Sequence, residues 1–164
     1  MPNSSFIIRL IQPNDNEQLA NVIRNVILEM GAPKTGTAYE DVATDSMFEN
    51  YQKEKSAYFV LEHNNTVVGG GGIAQLDNFD GNVCELQKMY FLPIARGKGL
   101  GSQIITKCLK KAKELGFEKC YLETMPYMKS AVKLYKKNGF SNLEGPMGNT
   151  QHYSCNVWMI KEIE

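Results

Sequence analysis

Residues that build metal sites and staples are scarce in this chain. Only two histidines, His63 and His152, occur in 164 residues, and the four cysteines, Cys84, Cys108, Cys120 and Cys155, form no CxxC pair. Neither a zinc site nor a disulfide framework is expected, and no metal ligand is assigned. Cys84, Cys108 and Cys120 fall in apolar periodic segments, where a free cysteine behaves as a small buried hydrophobe. An excess of charge is missing too: 18 Lys plus Arg balance 18 Asp plus Glu, for a formal net charge of zero. Without a positive surplus there is no general field to hold a phosphate polymer, so nucleic acid is not an expected partner. Long apolar runs are absent, and with them any expectation of a membrane partner. The N-terminal stretch MPNSSFIIRLIQPND lacks the apolar core and cleavage site of a secretory signal, and a cytoplasmic protein is expected.

What is present suits one domain, residues 1–164. A chain of this length buries roughly 68–70% of the surface its unfolded form exposes, enough for a full core without covalent help. Phe6 to Ile11 reads as a short strand, and Asn14 with Glu17 three residues on has the pattern of a capping box opening a helix. Leu19, Val22, Ile23, Val26, Ile27 and Met30 give that helix one apolar face, and Gly31 stands just past its end. An irregular connection from Ala32 to about Ala43 leads to a shorter helix around Asp45 to Lys53. Ala57 to Glu62 and Thr66 to Leu76 are strands joined through Asn64 and Asn65, a dipeptide suited to a tight hairpin. Four glycines, Gly69 to Gly72, interrupt the second strand and read as a bulge or close backbone approach. After a turn at Asp80 to Asn82 comes the strand Val83 to Leu92, ended by Pro93. Helix Gly99 to Leu115, strand Lys119 to Glu123, helix Lys129 to Asn138 and strands around Phe140 to Glu144 and His152 to Lys161 complete an α/β or α+β order with a mixed sheet. The lysines of the last two helices read as solvated faces.

Arg96 to Ser102 reads RGKGLGS, between a strand that Pro93 terminates and an amphipathic helix. Glycines at such a turn let backbone amides converge on an anion at the helix N-terminus, where unpaired N–H groups and the dipole favour phosphate. Arg96 and Lys98 add positive charge at the same place. Two nucleotide motifs fail here: GxGxxG, because Ser102 stands at its third glycine, and GxxxxGK[ST], which finds no match.

The string ELQKMYFLPIARGKGLG, followed after a helix by YLETMPYMKSAVKLYKKNGF, resembles the GNAT acyltransferase superfamily. That signature is a strand, Pro, then (Q/R)xxGx(G/A), with a later helix ending in LYxxxGF. The resemblance covers about Glu85 to Phe140 in motif detail and implies a mixed, strongly twisted six- to seven-stranded sheet flanked by four helices, parted where acetyl-CoA enters. It implies that Arg96, Gly97, Lys98, Gly99, Leu100, Gly101 and Ser102 wrap the pyrophosphate of CoA, mostly through backbone N–H groups. Met89, Tyr90 and Phe91 would pair with the pantetheine arm and polarise the thioester carbonyl. Tyr135 would protonate the departing thiolate; from the residues alone it reads first as a core tyrosine on an amphipathic helix. Glu85 would accept the amine proton, against a sheet residue paired with Lys88. Strict alternation puts Glu85, Gln87, Met89 and Phe91 on one face and Leu86, Lys88 and Tyr90 on the other. Met128 stands where many members have an Asn that bonds the CoA arm, with Thr124 and Tyr127 near enough to replace it.

In this fold the acceptor site is made by the segments Gly31 to Asp45 and Glu144 to Cys155. Tyr39, Glu40 and His152 are the residues expected to bind a small amine, amino-acid-like or polyamine-like, with Glu40 attracting an ammonium and His152 holding a carboxylate. His152 and Cys155 could form a nucleophilic pair, but the family transfers directly within a ternary complex. The implied activity is acetyl-CoA-dependent N-acetyltransfer to a small primary amine. Alternatives are a CoA-binding or sensing module without turnover, and a protein or peptide acetyltransferase; a homodimer through the last strand is also within what the resemblance implies.

Overall fold

Runs of branched and aromatic residues give seven strands that join in one mixed sheet. The computed structural model describes residues 5–125, 128–150 and 155–164. In chain order the elements are β1 (Phe6–Leu10), α1 (Asn16–Glu29), α2 (Met47–Asn50), β2 (Ala57–His63), β3 (Thr66–Gln75), β4 (Val83–Phe91), α3 (Leu100–Glu114), β5 (Lys119–Thr124), α4 (Lys129–Lys137), β6 (Ser141–Leu143) and β7 (Val157–Glu162). The sheet order is β1-β2-β3-β4-β5-β7-β6. Every neighbouring pair is antiparallel except β4 with β5, which the α3 crossover makes parallel. The hairpin at Asn64 and Asn65 holds both residues at positive φ, 52° and 67°, as a primed turn requires.

Two starts differ from the sequence reading. The residues Asn14 and Glu17 do not cap α1; Pro13–Asp15 forms a separate 3-10 turn, and buried Asp15 accepts from the Gln12 N–H at 2.7 Å. Arg9 forks onto the same carboxylate at 2.8 and 2.9 Å, so Asp15 serves as an ion-pair partner of β1 as well as a cap. The helix expected over Asp45 to Lys53 shrinks to a 3-10 turn, Val42–Asp45, and the single turn α2. Ser46 separates them, at φ −136° and ψ 52°, outside the helical region.

Layers on both faces of the sheet form the core. Leu19, Val22, Ile23, Val26 and Ile27 of α1 are buried together with Tyr51, Tyr58, Val60 and Val67. On the other face Ile104, Ile105, Cys108 and Ala112 of α3 and Tyr135 of α4 pack with Ile73, Cys84, Leu86 and Cys120. Each large side chain so buried contributes about 1.5–3 kcal/mol, more than helix propensity over the same turns, so the apolar stripes orient α1 and α3 on the sheet.

Candidate active site

The site begins where two parallel strands stop pairing. β4 and β5 are in register only at Val83–Lys119, Cys84–Cys120 and Glu85–Tyr121. Beyond Glu85 the two strands part, and among the described residues no strand pairs with the β5-facing edge of Leu86 to Phe91. Such an edge presents backbone donors and acceptors that an extended ligand can meet.

A bulge shapes the departing half of β4. Gly72 pairs with Gln87 and Gly70 with Tyr90, so Lys88 and Met89 together stand opposite Gly71, and Lys88 takes φ 47°. The extra residue reverses the alternation. Contrary to strict alternation, Met89 and Phe91 pack with the α3 layer, as Leu86 does, and Tyr90 with the α1 layer. Lys88 also reaches the α1 side, where its Nζ lies 2.9 Å from Asp41 Oδ2, rather than pairing with Glu85. The glycine run explains how the bulge is held. Tyr58 of β2 lies across β3, its ring against Gly70 and Gly72, and donates from its hydroxyl to the Lys88 carbonyl at 2.6 Å. The run is a close approach, as expected.

At the β4–α3 turn the expected anion cradle has the right backbone. Gly97 and Gly99 sit at φ 74° and 76°, and a Cβ at either would meet nothing within 4 Å, so the space in front of them is open. Gln103 N–H bonds the Gly99 carbonyl at 3.2 Å, while among the described residues no backbone carbonyl accepts from the amides of Gly97 to Ser102. These amides and the α3 dipole fit a pyrophosphate. Side chains take other duties. Arg96 forks onto Glu29 at 2.7 and 2.8 Å and donates twice to the Phe91 carbonyl, which fixes the end of β4. Lys98 reaches toward the Phe6 ring, 6.0 Å to its centroid. Leu100 is buried, a Cβ on Gly101 would stand 2.8 Å from Leu134 Cδ2 of α4, and Ser102 Oγ accepts from Asn138.

Glu85 is 3% exposed and accepts from Gln87 Nε2 at 2.7 Å; Gln87 in turn accepts from Tyr51 at 2.5 Å. Tyr135 is buried on α4, its ring edge-on to Phe140. Burial first, then Cys155 and Cys120, pushes its phenol above the ordinary value, so it stays a proton donor. Tyr90 is raised in the same way, by burial first and then by Cys155 and Tyr135. Burial, then Glu123 and Glu85, pushes the Cys155 thiol up to about 12, so it is no thiolate at neutral pH. Met128 precedes α4, and its sulfur receives the Thr124 hydroxyl at 3.7 Å, so Thr124 is already engaged there. Tyr127 and His152 lie outside the described residues.

A cavity of about 400 Å³ opens among the loops on the α1 side, lined by Gly36, Thr37, Glu40, Asp41, Asp77, Asn78, Asn149 and Thr150. Its walls are tied to both parted strands: Asp41 to Lys88 on β4, and Thr150, through its hydroxyl, to Glu123 on β5. Glu40 is on its wall. Tyr39 is not among the lining residues; its ring packs on the α1 layer between Lys34, at 5.0 Å, and Arg24, at 5.8 Å. Sequence reasoning missed Glu123, whose other oxygen accepts from Tyr121 at 2.6 Å, and Asp77, which comes from the β3–β4 turn. For Glu123 a signal existed: a carboxylate inside the apolar strand KCYLET.

The sheet parts at its centre beside an amide cradle, and a buried carboxylate, Glu85, and a buried phenol, Tyr135, lie on the strand and the helix nearby. The profile of the acetyltransferase (GNAT) family matches residues 26–140, and the chain belongs to that family. It is an acetyl-CoA-dependent N-acetyltransferase. It is 41% identical over 160 residues to the uncharacterized N-acetyltransferase YjgM of Escherichia coli (strain K12), covering 97% of this chain and 96% of that one. A GNAT-family acetyltransferase from Staphylococcus aureus Mu50 has the same fold, with a TM-score of 0.84 at 20% identity over 97% of this chain and 99% of that one. A spermidine N-acetyltransferase from Vibrio cholerae, solved with CoA and spermine, aligns with a TM-score of 0.68 at 21% identity over 98% of this chain and 97% of that one. Among the described residues no helix is long and apolar enough to cross a membrane, and no group of three or more His, Cys, Asp or Glu could hold a metal ion.

Proposed function

We propose that this chain, as a single domain, acetylates the primary amine of a small cationic molecule by direct attack in a ternary complex. The observation that carries this is the cavity tied to both parted strands, with Glu40 and Asp77 on its wall, Asp41 beside them neutralised by Lys88, and no lysine or arginine lining it among the described residues. A protonated amine is attracted there and meets the thioester at the cleft. Amides from Gly97 to Ser102 would hold the pyrophosphate, and the open edge of Met89 to Phe91 the pantetheine arm, beside Met128. Glu85 would take one proton from the ammonium, leaving the neutral amine whose lone pair forms the C–N bond, and the second proton, shed by nitrogen as the amide forms, replaces the one Tyr135 gives up; Gln87, donating to one Glu85 oxygen, orients the carboxylate. As the C–S bond breaks, Tyr135 would give its proton to the CoA thiolate, and burial keeps that proton available at neutral pH.

The test is incubation with acetyl-CoA and a pool of polyamines, amino acids, amino sugars and peptides, following CoA release and identifying products by mass spectrometry. N-acetylated polyamines and other acetylated multiply charged amines are the expected products. Tyr135→Phe should slow transfer by about 10²–10⁴-fold while acetyl-CoA still binds. Acetylation restricted to peptides would refute the small-amine reading, and acetyl-CoA binding without any product would leave a binding module.

A further inference from the structure

Lys88 carries a strained backbone and a side chain sequestered from water. Its φ of 47° lies in the left-handed region, where a glycine would sit without steric cost. A lysine stands there instead, and its side chain is only 8% exposed. The ammonium lies 2.9 Å from Asp41 Oδ2, and the carbonyl of the same residue is held by Tyr58 at 2.6 Å. Asp41 is the knot of its loop. Its other oxygen accepts from the Ala43 N–H at 3.0 Å, its carbonyl accepts from the Thr44 N–H at 3.0 Å, and its own N–H donates to Ala38 at 3.3 Å. Thr44, fully buried, donates from its hydroxyl to the Ala38 carbonyl at 2.7 Å. Whatever fixes Asp41 therefore fixes the segment from Ala38 to Thr44, with Glu40 on the cavity wall.

We infer that Lys88 is a positioning residue for the acceptor: it hangs one wall of the cavity on the bulge of β4, so that the cavity keeps a set distance from the strand that meets the thioester. This rests on the acceptor reading above. The opposite wall has its own tie, Thr150 to Glu123 and the Met147 N–H to Tyr121, both on β5. The third side of the cavity, Asp77 and Asn78 of the β3–β4 turn, is bonded to Asn149, so loss of the Lys88 tie frees the Asp41 wall only.

The test compares the wild-type enzyme, saturated with acetyl-CoA, with Lys88→Met, Asp41→Asn, the double variant and Lys88→Arg. Asparagine keeps the acceptor for the Ala43 N–H, so Asp41→Asn removes the ion pair and spares the cap. Hydrogen exchange at Ala43 and Thr44 should quicken by about ten-fold or more in Lys88→Met and in Asp41→Asn. The double variant should be no faster than either, because one interaction is lost in all three. Exchange in β2, β3 and residues 144–150 should stay as in wild type, the acetyl-CoA Kd within about two-fold, and Lys88→Arg should restore protection. With spermine as acceptor probe, KM should rise by about 10–100-fold and kcat change less. Unchanged exchange at Ala43 and Thr44, loosening spread through β3 and β4, or additive effects in the double variant would overturn the proposal. If the wild-type enzyme acetylates neither spermine nor any amine of the pool, the acceptor reading fails, while the exchange data still decide whether Lys88 holds the wall.

Discussion

Replacing Gly72 by alanine tests whether the glycine run exists to let Tyr58 cross β3. In an ordinary strand the substitution stabilises by about 0.5–1 kcal/mol, because glycine loses more backbone freedom on folding. Here an added Cβ would stand 2.5 Å from the Ala57 carbonyl oxygen, 2.5 Å from Tyr58 Cδ2 and 3.0 Å from Tyr58 Cα. Two of those neighbours are main-chain atoms of β2, which pairs with β3 at this very position. Relief therefore requires strand and ring to move, and overpacking of this kind costs about 1–3 kcal/mol. Once the ring moves, the Tyr58 hydroxyl leaves the Lys88 carbonyl, for a further loss of about 0.5–1.5 kcal/mol. The balance is a destabilisation of about 0.5–4 kcal/mol, opposite in sign to the generic expectation. Equilibrium unfolding in urea measures it, with Tyr58→Phe as the partner in a double-mutant cycle. Because Gly72→Ala already breaks the hydroxyl bond, the pair should cost less than the two singles together. A neutral or stabilising Gly72→Ala would refute the crossing argument, whatever Tyr58→Phe does.

Three further outcomes follow from individual sites. Asp15→Asn should cost about 1.5–3 kcal/mol at neutral pH, the range for hydrogen bonds to charged groups. Burial raises the Asp15 carboxyl, but the Arg9 fork and the Gln12 N–H outweigh it and hold the group below its ordinary 3.8. A depressed folded-state value stabilises fully above the unfolded value and is lost as pH falls through the folded one, so wild type and Asp15→Asn should converge in urea titrations below about pH 3.9. Gly99→Ala places a side chain at φ 76°, a strain of about 1–2 kcal/mol at the cradle; calorimetry should show weaker acetyl-CoA binding, and unaltered affinity would remove this turn from the binding site. Cys155→Ser should leave the transfer rate within about two-fold, and the wild-type enzyme should yield no acetyl-enzyme at pH 7, since a thiol pushed up to about 12 is almost wholly protonated there; acetylated Cys155 in the wild-type mass spectrum would contradict direct transfer.

Local signals account for what was readable in the sequence. The apolar stripes of α1 and α3, the Asn64–Asn65 hairpin and the turn before α3 are each decided within a few residues, and the structure has them within one or two positions. The cavity is different. Glu40, Asp77 and Thr150 come from three loops that meet only because β3, β4 and β5 are neighbours, and no periodicity connects them. The phase of β4 fails for a related reason. Strand reading assumes a period of two, and one extra residue at Lys88 sends every later side chain to the other face. What inserts that residue is on other strands, in the glycines of β3 and the hydroxyl of Tyr58 on β2.

Arg96 shows the same limit at the best-resolved motif. Its charge beside GKGLG invites a direct role at phosphate, yet its guanidinium forks onto Glu29 of α1 and donates to the carbonyl of Phe91. A lysine could supply the charge but not this fork, which joins helix, strand end and turn through one planar group. The amides of Gly97 to Ser102 carry the anion geometry, and the open space before Gly97 and Gly99 shows that the cradle stands on backbone conformation. The arginine therefore serves the turn by holding it in place, and the sequence motif records the position of a loop more than a source of charge.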